Sequence, residues 1–185
     1  MFHFFGGGAL GFLYTLLSLG VYLLGSYSIY RLAYVRNLPN PIFAFIPFFQ
    51  LFMLGQIGDT LKYHNKHLRE MLGSVPLAYA MPLLSIFTSI LASPFNTITS
   101  FLVMAAEVAV YYLVFDYYTP KYCALFTLLS CSSVFFALLQ MLRYMPIIGS
   151  VLSIFSGLLG ILAAASPLIG PLLVIYAVKG YRNYY

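Results

Sequence analysis

The chain has no tryptophan and only four acidic side chains among its 185 residues. Charged residues make up 7% of it. A soluble domain carries about 25%, so too few are present to solvate a globular surface. The four carboxylates are Asp59, Glu70, Glu107 and Asp116. They form no paired-carboxylate array, and the chain also lacks a GxSxG, a Walker loop, a CxxC and an HExxH. A lipid-modifying enzyme would need several carboxylates or histidines at the interface. Asp59, His64, His67 and Glu70 are too few to support one, so no catalytic residue is assigned and no cofactor is expected. The two cysteines, Cys123 and Cys131, lie eight apart. On a helix that is about 12 Å along the axis, too far for a mutual disulfide, and they are read as small buried residues. There is also no basic stretch ahead of the first apolar run, so that run is not read as a cleaved signal.

What is abundant is apolar surface. Hydrophobic residues make up 62% of the chain and the mean hydropathy is +0.93. The net charge of +5 does not point to nucleic acid, which requires a clustered basic face. The basic residues fall between apolar runs, where the positive-inside rule puts them. The expected fold is all-α: a polytopic integral membrane protein of about five transmembrane helices plus one short re-entrant or interfacial helix. It forms a single membrane domain over 1–185. The spans are 9–30, 76–92, 98–115, 122–142 and 147–178, the last with a break near 166–171 from Ser166-Pro167 and Gly170-Pro171. Pro82 is expected to kink the second span.

The extra element is 42–58. Asn40 can cap it, and Pro41 suits its first position. Its 17 residues span about 25 Å as a helix, short of a hydrocarbon core of about 30 Å, and Pro47 interrupts it. Arg31 and Arg36 precede it; Lys62, Lys66 and Arg69 follow. Full crossing would put these groups on opposite sides, against the positive-inside rule. The segment is therefore expected to return to the face it left. Its polar side chains, Gln50, Gln56 and Asp59, are weak site candidates. The resulting topology places the N-terminus outside, the C-terminus in the cytoplasm and eight of nine basic residues inside, with Arg143 the exception.

Lys62, Lys66 and Arg69 lie in the one strongly polar stretch and are expected to meet anionic headgroups. His64 and His67 share a helical face there and are weak metal candidates, but the ligand count is incomplete. Small residues recur on single faces: Gly11, Thr15, Ser18 and Gly25; Gly149, Ser153 and Gly157; Ser156, Gly160 and Ala164. Such stripes favour close helix packing, within the chain or with a second copy or another membrane protein. Tyr176, Tyr181, Tyr184 and Tyr185 read as an interfacial belt.

Glu107 stands apart. It falls near the middle of the third span, where an ionisable group points to an ion path, a proton relay or a buried structural contact. Ser85, Thr88, Ser130, Ser132 and Ser133 lie at similar depth.

Two blocks carry a resemblance. One is Tyr30-Arg31-Leu32-Ala33 through Asn40, continuing as Phe43-Ala44-Phe45-Ile46-Pro47-Phe48-Phe49-Gln50-Leu51-Phe52-Met53-Leu54-Gly55-Gln56-Ile57-Gly58-Asp59. The other runs from Tyr117-Tyr118-Thr119-Pro120-Lys121 to Ser130. They resemble a group of small multi-pass bacterial membrane proteins, of Firmicutes type and unknown function. The chain departs from the group in having phenylalanine where tryptophan is frequent, and in its long Gly-rich final run. The resemblance implies the bacterial cytoplasmic membrane and a multi-pass architecture; it transfers no site residue. The function expected is a non-enzymatic accessory or assembly component of a membrane complex. The alternative is a small proton- or cation-coupled transporter or channel using Glu107.

Overall fold

The computed structural model describes residues 9–93, 95–142 and 146–182. Among them every regular element is helical. The α-helices are α1 (Ala9–Val35), α2 (Pro47–Leu61), α3 (Lys66–Leu72), α4 (Leu77–Ile90), α5 (Phe95–Tyr118), α6 (Cys123–Ser130), α7 (Ser132–Leu142) and α8 (Pro146–Arg182). Short 3-10 turns occupy Pro41–Phe45 and Pro120–Tyr122. Arg143, Tyr184 and Tyr185 lie outside the described residues, as do the side chains of Gly149, Ser153, Ser156 and Tyr181.

Three helical stretches are long and apolar enough to cross a membrane: Gly11–Val35, Phe95–Tyr118 and Gly160–Lys179. Two bent pairs, α3 with α4 at 55° and α6 with α7 at 59°, raise the number to five if each pair is one span. Outward-facing side chains such as Phe12, Leu17, Ile90, Ile98 and Ile161 are large and apolar, as lipid-facing positions are.

After α1 the chain reverses through Asn37 and Asn40, which sit at φ 53° and 52°. Asparagine enters this left-handed region more readily than most residues. Asn40 does not cap the next turn through its side chain. Its left-handed backbone makes the reversal, and its carbonyl accepts from the Phe43 N–H at 3.1 Å. The 3-10 turn packs on α1, where the Tyr22 hydroxyl donates to the Phe45 carbonyl at 2.8 Å. Ile46 is extended, and Pro47 opens α2 instead of kinking it. At a first position the missing N–H costs nothing.

The stretch 37–46 runs back along α1, and α2 then runs parallel to α1 toward the end the chain left. Gln50 lies beside Gly25, and Thr60 meets Arg36, whose Nε donates to the Thr60 hydroxyl at 2.7 Å. The two ends of this segment, Arg36 and Lys62, therefore lie at one end of the bundle.

A polar clasp closes that end. α4 begins after Pro76, which has no side chain to cap the first N–H groups. Asp59 of α2 caps them instead: its carboxylate accepts from the Leu77 N–H at 3.1 Å and the Ala78 N–H at 3.0 Å. A carboxylate at a helix N-terminus gains both the hydrogen bonds and the helix dipole. The ammonium of Lys62 lies 2.9 Å from Asp59 Oδ1 and donates to the Val75 carbonyl at 2.8 Å. Lys62 is only 5% exposed, so it belongs to the fold rather than to the headgroup layer.

Gly55 makes the clasp possible. It lies one turn before Asp59, on the same face of α2. A methyl group there would overlap the Leu77 carbonyl and stand 2.7 Å from the Ala78 Cα. Gly58 is similarly tight against Val110 of α5, at 2.7 Å. The core gathers around this crossing. Ile29 and Leu32 of α1, Met53 and Ile57 of α2, Met81 of α4, Val114 and Phe115 of α5, and Val174 of α8 are all buried.

α8 continues as helix through Pro167 and Pro171. It packs along α1, α6 and α7. α5 begins at Phe95, three residues ahead of the expected span 98–115, so Phe95 and Asn96 lie in its first turn.

Gly55→Ala is expected to cost about 3 kcal/mol through backbone overlap, lowering the melting temperature by about 6–12 °C. Gly20 has open space around it, so Gly20→Ala is expected to leave the melting temperature unchanged or raise it. Circular dichroism melts in detergent micelles measure both.

Candidate functional site

α5 has no proline or glycine between Phe95 and Tyr118, so it carries Glu107 on an unbroken helix. Tyr111 follows one turn later on the same face. Glu107 is partly buried. Among the described residues its carboxyl group has no hydrogen bond and no ion pair.

Opposite Glu107 the chain breaks between α6 and α7. The sequence there is Ser130-Cys131-Ser132-Ser133, four small residues and three hydroxyls. Cys131 leaves helical geometry at φ −104° and ψ 20°. Its N–H still bonds the Thr127 carbonyl at 2.9 Å, and its own carbonyl accepts from Val134 at 2.9 Å and Phe135 at 3.2 Å. The break is thus a satisfied bend rather than frayed backbone. Serine hydroxyls favour such bends because they compete for backbone partners. Ser132 shows this, donating to the Leu129 carbonyl at 3.1 Å and to the Leu162 carbonyl of α8 at 2.9 Å.

α8 supplies the third wall. Pro167 has no N–H for the carbonyl of Ala163. The Ser166 hydroxyl takes its place, donating to that oxygen at 2.9 Å. Pro171 in turn leaves the Pro167 carbonyl without its usual helical N–H. Gly170 lets α8 approach the end of α6: a Cβ there would touch Ser130 at 3.4 Å.

Together these residues line a partly open cavity of about 170 Å³, with Glu107, Tyr111, Ser130, Ser133, Ser166 and Pro167 among its walls. It is large enough for several waters. The Ser130 hydroxyl is buried with no partner among the described residues. Hydroxyl and carboxyl oxygens suit a proton, water or a small hard cation. Compared with known proteins, the chain matches no family model, no curated protein and no solved structure.

The serines at Ser130 and Ser133 and the carboxyl of Glu107 meet as their common depth suggests. Ser85 and Thr88 of α4 do not line the cavity; Thr88 bonds the Leu84 carbonyl of its own helix at 2.8 Å. Tyr111, Cys131 and Ser166 join the site without having been singled out for it. A scan for Ser-Pro pairs in apolar helices points to Ser166, because its hydroxyl can serve the carbonyl that the proline frees.

The other sequence candidates lie elsewhere. Asp59 is committed to the clasp. Gln50 packs against α1, and the side-chain oxygen of Gln56 is buried without a partner among the described residues. His64 stands edge-on to the Tyr117 ring at 5.0 Å. His67 is exposed on α3, and its N–H is capped by Asn65 at 3.1 Å. The described residues bring no three His, Cys, Asp or Glu side chains together.

Two serine variants separate structure from site. Ser132→Ala removes the one proton shared between the Leu129 and Leu162 carbonyls and is expected to cost about 1–2 kcal/mol. Ser130→Ala removes no hydrogen bond among the described residues and is expected to stay within about 0.5 kcal/mol of wild type. Thermal melts of the two variants in one detergent measure the contrast.

Proposed function

We propose that the chain is a polytopic, non-enzymatic membrane protein whose working group is Glu107. In this reading Glu107 takes up a proton or small cation in the cavity at the α6–α7 break. The protein then belongs with small coupled transporters or channels. The observation that carries the reading is a carboxyl group with no partner among the described residues, opening on a cavity rich in oxygen. An ionisable group is expensive at such depth and is retained for a pathway or a ligand. Broken helices beside a cavity are a membrane protein's way of presenting backbone and hydroxyl oxygens to an ion.

An accessory or assembly role is the second reading. It is favoured by the first half of α1, where Phe12 to Leu19 are exposed and both Gly11 and Gly20 face open space. A second helix fits such a surface. The resemblance to small multi-pass bacterial membrane proteins of unknown function accords with either reading.

The proposed topology has five spans, with 42–58 a re-entrant element. The return of 37–46 along α1, followed by α2 running parallel to α1 back to the same end, supports this. So does the gathering of Arg36, Lys62 and the end of α5 at one end, which the positive-inside rule makes cytoplasmic.

Purified protein in liposomes is expected to carry protons, Na⁺ or K⁺ down a gradient, read with a pH-sensitive dye and ion electrodes. Glu107→Gln is expected to abolish the flux without moving the melting temperature. Wild-type vesicles that carry none of these ions, or Glu107→Gln vesicles that keep the wild-type rate, overturn the reading. Topology is checked with single cysteines at Pro39, His67 and Ser93, in a chain with Cys123 and Cys131 replaced by serine. Impermeant labelling is expected to reach Pro39→Cys and His67→Cys from one side of the membrane and Ser93→Cys from the other.

A further inference from the structure

A second cavity lies on a neighbouring face of α5, with Val134 of α7 lining both. It is an open, almost wholly apolar groove of about 460 Å³ between α5 and α7, lined by residues that include Leu68, Met104, Val108, Tyr112, Val134 and Leu138. Its α5 wall runs from Phe101 to Tyr112. The eleven residue steps between them measure about 16 Å along a helix, about half of a hydrocarbon core of about 30 Å. The groove is thus one leaflet deep.

The two ends of the groove differ. Tyr112 lies toward the clasp end of α5, and Leu68 of α3 closes the groove there. The Asn65 side chain fixes α3 in place by donating to Asp116 of α5 at 3.0 Å. α3 also carries Lys66 and Arg69, both exposed. Neither has an ion pair among the described residues. The nearby acidic groups are Asp116, bonded to Asn65, and Glu70, exposed on α3. Lys62 is withdrawn into the clasp, which leaves Lys66 and Arg69 as exposed cations on the helix whose Leu68 closes the groove; Lys121, just past α5, is exposed as well and lies over the Tyr122 ring at 5.5 Å.

We propose that this groove seats one acyl chain of an anionic phospholipid, in the leaflet on the clasp side, with the headgroup held by Lys66 and Arg69. Depth selects a lipid chain, and the charge at one end selects an anionic headgroup. A basic residue at the membrane surface favours an anionic lipid about fivefold.

The test uses the full chain in mild detergent. Phosphatidylglycerol and phosphatidylcholine of identical acyl chains are supplied at equal concentration, and bound lipid is counted by native mass spectrometry. Wild type is expected to retain phosphatidylglycerol over phosphatidylcholine by about tenfold or more. The double variant Lys66→Gln, Arg69→Gln is expected to lose that preference while still retaining one lipid. Ala109→Trp, which fills the groove, is expected to lose both lipids.

A second measurement needs no variant. Phosphatidylglycerol with a photoreactive acyl chain is expected to label wild-type α5 between 101 and 112 and α7 between 134 and 138. Equal retention of the two lipids by wild type overturns the proposal. So does label spread evenly over exposed positions of α1 such as Leu13 and Leu16. A second copy of the chain in the groove would appear as a dimer without lipid, and that also overturns it.

Discussion

Two backbone N–H groups at the start of α4 have no local acceptor, and the carboxylate of Asp59 meets both. Much of the architecture depends on that contact. In a low-dielectric surrounding an unpaired N–H is expensive, so α4 can begin where it does only if α2 delivers an acceptor. α2 delivers it by returning to the end of the bundle from which the chain left α1. Lys62 balances the charge and holds the Val75 carbonyl of the connecting loop. Gly55, one turn away, removes the side chain that would keep the two helices apart. Close approach, cap and counter-charge are thus supplied within eight residues of a single short helix.

The molecule's two polar centres differ in kind. At the clasp, the charges of Asp59 and Lys62 have partners, and Arg36 bonds the Thr60 hydroxyl while lying over the Tyr117 ring at 5.1 Å. Satisfied groups of this sort hold helices in register. At the α6–α7 break the Glu107 carboxyl and the Ser130 hydroxyl lack partners among the described residues and share a cavity. Unsatisfied groups at membrane depth cost stability, which is why the functional proposal rests on them. The apolar groove on a neighbouring face of α5 adds a third environment, and Val134 of α7 lines both it and the polar cavity.

The sequence was informative where the cause is local. Composition gave the helical membrane class, and the shortness of 42–58, with basic residues on both flanks, anticipated that both its ends lie together. Glu107 was conspicuous because nothing else charged lies near it in the chain. It was silent where the cause is distant. Asp59 looked like a weak site candidate because the N–H groups it caps lie 18 and 19 residues away. Its only local sign was the missing capping residue before Leu77. Lys62 looked like part of a basic loop because burial cannot be read from charge alone. The bend of 59° at Cys131 carries no proline or glycine, so it was not read within the span 122–142. Pro167 looked like a break, but the Ser166 hydroxyl serves the carbonyl it frees and the helix continues.

The central claim is that Asp59 acts as an acceptor for backbone N–H groups, with its pairing to Lys62 secondary. The most direct measurement is the melting temperature of a charge swap, Asp59→Lys with Lys62→Asp, set beside Asp59→Ala. The swap restores opposite charges three residues apart but leaves Leu77 and Ala78 facing an ammonium that cannot accept. It is predicted to melt no higher than Asp59→Ala, both about 6–12 °C below wild type, for the roughly 3 kcal/mol that removing one member of a buried, hydrogen-bonded pair costs. A swap that melts within a few degrees of wild type would contradict the account.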